Sequence, residues 1–374
     1  MKSEAPQSKE PRRTAGPAIL AAALIVCALP CAAQSYQLTP PQRVRLLALI
    51  GSDESAKAAI EPLRRLATAS LAESPHPIAV IRSEGLLASD PKKIATRKAL
   101  QDMDRLYALA AVWQLDRRDQ ALAKARDYLV AWASVNRSRG DPIDDTNLES
   151  ALRAYDFVRE GLDASDRARI EAWFSQVADA EITSFTDHPG RSTDFSNWNS
   201  HRLKIVGLVA FATGRARYLN FVLTQFPKQI ERNLLPDGSS YDFHERDALH
   251  YHIYTLLPLV SLCAAMKQNG YTLFATTVGG RSIAHSIEFA LPYIQGLATH
   301  AEFVHSKGGF DRKRSVAGER GFIAGMPFDP LDGLPLLEAA YYFEPELLPT
   351  IQRLSGRNVP FPSWQVLLES VQRD

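Results

Sequence analysis

The amino-acid sequence predicts an all-α chain folded as an incomplete α/α toroid, with helical hairpins around a central cleft and little β structure. Three observations lead there. From Pro40 onward, apolar residues recur at spacings of three and four, the period of a helix with one buried face. Helix pairs recur at intervals of roughly 30–50 residues without an exact repeat. Segments that are apolar all round, such as Ile205-Val-Gly-Leu-Val-Ala-Phe-Ala212, alternate with amphipathic ones. Inner helices buried on every side would then surround a cleft, with half-buried helices outside them.

The chain has 374 residues, 45% of them hydrophobic, enough for a large core. The first segment reads as a secretory signal peptide. Lys9, Arg12 and Arg13 precede an apolar run from Ala18 to Ala32, and Cys31-Ala32-Ala33 offers a small-residue cleavage site. The run is short for a membrane span of about 20 residues. The expectation is therefore residues 1–33 as signal, a single domain over 34–374, a periplasmic or secreted location, and no stable membrane insertion after cleavage. Cleavage leaves Cys263 as the one cysteine, so no internal disulfide supports the fold. It also leaves 39 basic and 40 acidic residues. That balance argues against a nucleic-acid partner, which calls for a basic excess.

The helices can be read in order. Ser89-Asp90-Pro91 caps one whose Met103, Leu106, Ala110 and Trp113 share a face. Leu122, Ala125, Leu129 and Trp132 form its hairpin partner. Thr146-x-x-Glu149 has the form of a capping box opening a helix through Leu152, Tyr155 and Val158. Ser165-Asp166 precedes another, through Ile170, Trp173 and Val177. The all-apolar helix runs His201–Thr213 and stops at Gly214, with a partner at Tyr218–Phe226. A helix from Glu245 to Met266, then Ile283–Ile294, Leu331–Phe343 and Trp364–Val371, complete the set. Tyr271–Val278 is the best strand candidate.

Two polar clusters stand out. Asp237-Gly-Ser-Ser-Tyr-Asp-Phe-His-Glu-Arg-Asp-Ala-Leu-His-Tyr-His-Ile-Tyr254 begins at a turn and runs into a helix. A helix bound for a core has no packing reason to carry so many polar groups in two turns. On a continuous helix Arg246, His250 and Tyr254 form one stripe spanning about 12 Å of axis. The second cluster, Asp194-Phe-Ser-Asn-Trp-Asn-Ser-His-Arg202, precedes the all-apolar helix. Asn199 and His201 sit at its first turn, where simple capping is the plainer explanation. Trp198 beside them offers the flat apolar face on which a sugar ring packs.

Asn199-Ser-His201 and, some 45 residues later, Glu245-Arg246-x-Ala-Leu-His-Tyr-His-x-Tyr254 together resemble the alginate lyase family of polysaccharide lyases. The resemblance is clearest over residues 75–265, and Asp141–Leu148 is similar to some members. It implies an α/α toroid that cleaves uronate polymers by β-elimination, with an anionic polysaccharide as partner and neither metal nor organic cofactor. In many members of the family the histidine follows the asparagine directly, and the arginine precedes the tyrosine by seven residues. Here Ser200 intervenes, Asp247 holds the minus-seven position and Arg246 is at minus eight. The lysine of the family's lid falls on Lys92 or Lys93.

The chemistry accounts for those residue types. The C5 proton of a uronate is weakly acidic until its carboxylate is neutralised by hydrogen bonds or positive charge. Asn199 and Arg246 are assigned that task. A base then removes the proton and an acid protonates the O4 leaving group. Tyr254 can do both on one face of the ring, and for the opposite C5 epimer His201 is the base and Tyr254 the acid. Trp198, His250, Asn147, Lys92 and Arg312 are candidate substrate contacts. For His250 and Asn147 a structural role weighs equally, and for the basic run Lys307 to Arg314 a solvated loop is the commoner meaning. Tyr251 and His252 are assigned to packing. Residues two apart on a helix point about 200° apart, so His250 and His252 are no metal pair. Asp144 and Asp145 are read as cap and turn residues rather than glycosidase acids, which must straddle the scissile bond. The leading expectation is a lyase on alginate or polymannuronate. A lyase on glucuronan or another uronate polymer, a glycoside hydrolase on uronate oligosaccharides, and a non-catalytic anionic-polysaccharide binder are the alternatives.

Overall fold

The structure, a computed structural model, describes residues 34–187 and 189–373. The expected signal segment lies outside the described residues. The helices are α1 (Pro40–Ser52), α2 (Glu54–Ser70), α3 (Pro91–Asp116), α4 (Asp119–Val135), α5 (Pro142–Asp145), α6 (Glu149–Val158), α7 (Ala164–Thr186) and α8 (Asn197–Thr213). They continue with α9 (Ala216–Asn233), α10 (Tyr241–Arg246), α11 (Leu249–Gln268), α12 (Ile283–Ile294), α13 (Gly309–Val316), α14 (Leu334–Ala340), α15 (Leu348–Ser355) and α16 (Trp364–Arg373). No strand occurs among the described residues, where pairing is confined to isolated bridges such as Val278 with Arg281. The expected strand at 271–278 is instead a 3-10 turn, Leu273–Ala275, followed by that bridge.

The toroid follows from which helices are buried all round. α3, α6, α8, α11, α14 and α16 pack successively on one another, and α2, α4, α7, α9, α12 and α15 lie outside them. Nearly every residue of α8 is buried, including Leu203, Ile205, Val206, Leu208, Val209 and Phe211. Each fully buried side chain of that size contributes about 1.5–3 kcal/mol. Gly207 lets α8 and α11 approach, because a Cβ there would lie 2.4 Å from Leu262. α11 is long and apolar enough to cross a membrane, yet 78% of its apolar window is buried, as expected of a core helix. The ring closes where Trp364 of α16 donates its indole N–H to the Tyr107 hydroxyl of α3, at 2.9 Å. Gln42 of α1 donates to the Gln372 carbonyl at 3.2 Å.

Three of the helix boundaries that differ from the sequence reading bear on the site. α8 begins at Asn197, not His201, with Ser196 as N-cap residue. Thr146 caps nothing. It is the first residue of a 3-10 turn, Thr146–Leu148, that leads into α6, and its hydroxyl goes to His201 instead. The helix expected from Glu245 to Met266 is broken at Asp247, whose φ of 47° is left-handed. A left-handed residue ends a right-handed helix, so Arg246 on α10 and Tyr254 on α11 share no continuous stripe.

Candidate active site

A cleft of about 450 Å³ opens at the mouths of α8 and α11. Asn197, Trp198, Asn147, Arg246, His250, Tyr251 and Tyr254 line it, with Lys93 and Arg314 on the facing wall. The break at Asp247 organises this end. It turns α10 so that Arg246 lies against the first turn of α11. Arg246 Nη2 donates to the Tyr251 hydroxyl oxygen at 2.8 Å, and its guanidinium carbon sits 4.0 Å from that ring's centre. Asp311 holds the other side, with Arg246 Nε donating to Oδ2 at 2.6 Å. Burial disfavours the guanidinium charge, but the Asp311 carboxylate more than offsets this and keeps Arg246 protonated. For Tyr251, burial pushes the phenol pKa up while Arg246 pulls against the shift. Burial prevails and the pKa stays above its ordinary value, so the arginine N–H lessens the cost of negative charge on the phenol oxygen without removing it.

Tyr254 has no such cation against its oxygen, and burial followed by the nearby Tyr251 raises its pKa. The two phenol rings are 6.3 Å apart and perpendicular. His201 and Tyr254 do come together, with ring centres 4.3 Å apart. The imidazole lies behind the phenol, however. It is 4% exposed and borders a second chamber of about 260 Å³ down the toroid axis, not the cleft. Its Nδ1 is 2.8 Å from the Thr146 hydroxyl, and its Nε2 has no partner among the described residues. Burial drives its pKa well down, so His201 is neutral. Beneath it Glu149 accepts from Arg153 at 2.9 Å and from Lys204.

Asn199 is not in the cleft. With α8 starting at Asn197, position 199 faces α9 and its amide is engaged away from the cleft. Nδ2 donates to Gln229 at 2.9 Å and Oδ1 accepts from the buried Arg202 at 3.3 Å. Asn197 and Trp198 occupy the mouth in its place. Asn197 gives one amide hydrogen to Asp242 at 2.7 Å and has a second to offer. Asn147 lines the cleft, but both its amide hydrogens go to the carbonyls of Ile143 and Asp144, at 3.2 and 2.8 Å. It therefore presents an acceptor to a ligand, not a donor.

Two cations move by one or two residues. Lys92 is exposed and away from the cleft, whereas Lys93 lines it and donates to the Leu86 carbonyl at 2.9 Å. Arg312 is exposed, whereas Arg314 lies 3.0 Å over the Phe322 ring and lines the cleft. His250 lines it too, its pKa lowered to about 4 by burial and then by Arg314. His252 is fully buried between the Ser240 hydroxyl and the Ser286 carbonyl, a packing role. Asp144 accepts from the Ser83 amide at 2.7 Å and ties the 83–84 segment to the cleft wall. Among the described residues, no three His, Cys, Asp or Glu side chains gather as a metal-holding group.

The alginate lyase family profile matches residues 51–300. The chain belongs to the alginate lyase family. A curated alginate lyase of Azotobacter chroococcum mcd 1 is 32% identical over 110 residues, a match spanning 28% of this chain and 28% of that one. The fold is similar to that of an alginate lyase from Bacteroides ovatus, with a TM-score of 0.65 at 15% identity, covering 90% of this chain and 99% of the other. Alginate lyase A1-III from a Sphingomonas species shares it with a TM-score of 0.56 at 19% identity, covering 77% and 91%. A variant of A1-III complexed with tetrasaccharide gives 0.59 at 18% identity, covering 83% and 88%. The family match stops at residue 300, so Asp311 and Arg314 lie beyond the stretch by which this chain joins its family.

Of the cleft residues, the sequence reading leaves out Asn197, assigns Tyr251 to packing, names Lys93 as the alternative to Lys92, and treats Arg314 as part of a solvated basic run. Tyr251 belongs to the motif that was recognised, and the missing signal was the helix break. An acidic residue followed by alanine, just before an apolar helix, is a weak mark for it. Lys93 and Arg314 lie next to or near the residues chosen, and only the helix phase separates them.

Proposed function

We propose that this protein is a polysaccharide lyase cleaving a uronate polymer by syn β-elimination, with Tyr251 as base and acid. The observation that carries the reading is the 2.8 Å hydrogen bond from Arg246 to the Tyr251 oxygen inside a cleft walled by cations. Nε and Nη2 of Arg246 are committed to Asp311 and Tyr251, which leaves Nη1 for substrate. Nη1, Arg314 and the second amide hydrogen of Asn197 neutralise the uronate carboxylate. The Tyr251 phenolate takes the C5 proton, the C5–H electrons form the C4=C5 double bond, and the C4–O4 bond breaks. The departing O4 takes the proton back from Tyr251, which restores the phenolate. Trp198 supplies a face for a sugar ring. Because one residue serves both steps, the preferred epimer is the one with H5 and O4 on the same face. Polymannuronate within alginate is the first expectation, and glucuronan is the nearest alternative.

The hydrolase reading needs two carboxyl groups astride the bond. Glu84 is the one carboxylate among the residues lining the cleft, so that reading has less support. Export to the periplasm or beyond, suggested by residues 1–33, is part of the same proposal.

The test is to incubate the protein with alginate, polymannuronate, polyguluronate, glucuronan and hyaluronan. New ultraviolet absorbance from a double bond conjugated to the carboxylate supports the lyase. Reducing ends without that absorbance would establish a hydrolase. Binding with neither product would leave a lectin-like toroid.

A further inference from the structure

The first amides of a helix have no partner within it and are usually capped by a nearby Ser, Thr, Asp or Asn. α11 starts after Ala248, which has no such side chain. Its cap comes from 53 residues away. Glu302 Oε1 accepts from Leu249 N at 2.8 Å and Oε2 from His250 N at 3.0 Å. The same segment is laid along the helix break by its backbone. Phe303 N donates to the Asp247 carbonyl at 2.6 Å, and Lys307 N donates to the Glu245 carbonyl at 3.0 Å. Further along, it delivers Asp311 to Arg246. Residues 302–311 thus hold both partners of the Arg246–Tyr251 contact, one by its guanidinium and the other by its helix end.

We propose that Glu302 is a positioning residue for Tyr251: its carboxylate fixes the start of α11 against α10, and protonating it loosens the Arg246–Tyr251 contact. Glu302 is 6% exposed. Burial, opposed by the two amides and His300, raises its pKa to about 7. The charged groups around it are His300, with Nε2 at 3.9 Å on its own segment, Asp247 at the helix break, and Asp332 from the Pro330–Gly333 turn. Its titration therefore falls where activity is measured. As pH drops through 7 the carboxyl becomes neutral and its hold on two amides weakens. The catalytic part of this inference rests on the lyase reading, but the cap itself can be tested without turnover.

Two measurements decide it. Hydrogen exchange over residues 249–254, corrected for intrinsic rates, is followed from pH 5 to 9 in the wild type and in Glu302→Gln. The wild type should lose protection by about fivefold on crossing pH 7 downward, the scale of a lost cap. Glu302→Gln offers one acceptor for two amides and should show low protection that does not vary with pH. Equal protection in the two proteins at pH 8–9, where the wild-type carboxylate is charged, overturns the proposal, whether or not any polymer is cleaved. In turnover, Glu302→Gln should lower kcat by about tenfold or more, since displacements near 1 Å cost on the order of 10²-fold. KM should stay within about twofold, and the acid limb near pH 7 should disappear. A loss matched by the unfolded fraction with an unchanged pH profile would mean simple destabilisation and refute the idea. Should Glu302→Gln fail to fold, His300→Gln decides. It keeps the carboxylate but removes a neighbour that favours its charge, so the acid limb must move to higher pH, and a stationary limb refutes the proposal. Absence of turnover in the wild type would fail the lyase reading alone.

Discussion

Arg246 and Tyr251 are five residues apart in sequence but sit on different helices, and the left-handed Asp247 between them brings guanidinium and phenol oxygen to 2.8 Å. On an unbroken helix, residues five apart point about 140° away from each other. The contact exists because the helix ends and restarts. It separates Tyr251 from Tyr254, which a continuous helix had favoured.

Replacing each tyrosine by phenylalanine tests that choice. Tyr251→Phe removes the hydroxyl Arg246 holds, and kcat should fall by about 10²–10⁴, the usual scale for losing a general acid–base. Tyr254→Phe should keep at least a tenth of wild-type kcat. Rates come from the absorbance of unsaturated product, with circular dichroism to confirm folding. Equal losses in the two variants would return Tyr254 to the mechanism.

Arg246 lowers the Tyr251 pKa against the upward push of burial. Removing the cation therefore raises that pKa, and less phenolate is present at any given pH. Arg246→Ala should move the rising limb of kcat toward alkaline pH as well as lower its plateau. Arg246→Lys should resemble it, because an ammonium cannot fork between Asp311 and Tyr251.

The two arginines of α13 should behave differently. Arg314→Ala should raise KM for polymer about tenfold, the scale of one charge-assisted contact, and weaken the salt dependence of KM. Arg312→Ala, exposed and away from the cleft, should leave KM within about twofold.

Asn199→Ala should cost stability rather than catalysis. It strips partners from Gln229 and the buried Arg202, a loss of about 1–3 kcal/mol, visible as a lower Tm. In the folded fraction kcat should stay near wild type. Asn197→Ala removes a partner of the buried Asp242 and should also lower Tm, but in the folded fraction it should lower kcat as well.

Burial first, and carboxyl neighbours as well, raise the pKa values of the adjoining Asp145 and Glu181, with Asp145 at about 6. Carboxyls raised in the fold hold protons that the unfolded chain releases. Their contribution to stability is full below about 4 and is lost as pH rises through about 6. Asp145→Asn should flatten the dependence of Tm on pH between about 4 and 6.

The helical hairpins were legible because amphipathic spacing records burial directly, and the all-apolar Ile205–Ala212 marked an inner helix without ambiguity. The motif pointed to the ends of α8 and α11 where the cleft opens. Side-chain phase did not follow, because it depends on the residue where each helix starts. Moving the start of α8 from His201 to Asn197 turns Asn199 from the cleft to α9 and brings Asn197 round. Breaking the chain at Asp247 sets Arg246 against Tyr251 rather than in line with Tyr254. The cap by Glu302 left no local trace, since its partners are 53 residues away.

The hydrogen bond between Trp364 and Tyr107, with Gln372 meeting Gln42, makes α16 the keystone of the ring. A growing polypeptide can stack its hairpins one after another, but it stays an open spiral until residues 364–373 have been made. Closure then joins segments more than 250 residues apart, a late and slow step for any chain. Truncations within α16 should therefore accumulate as soluble, protease-sensitive spirals with near-native helix content.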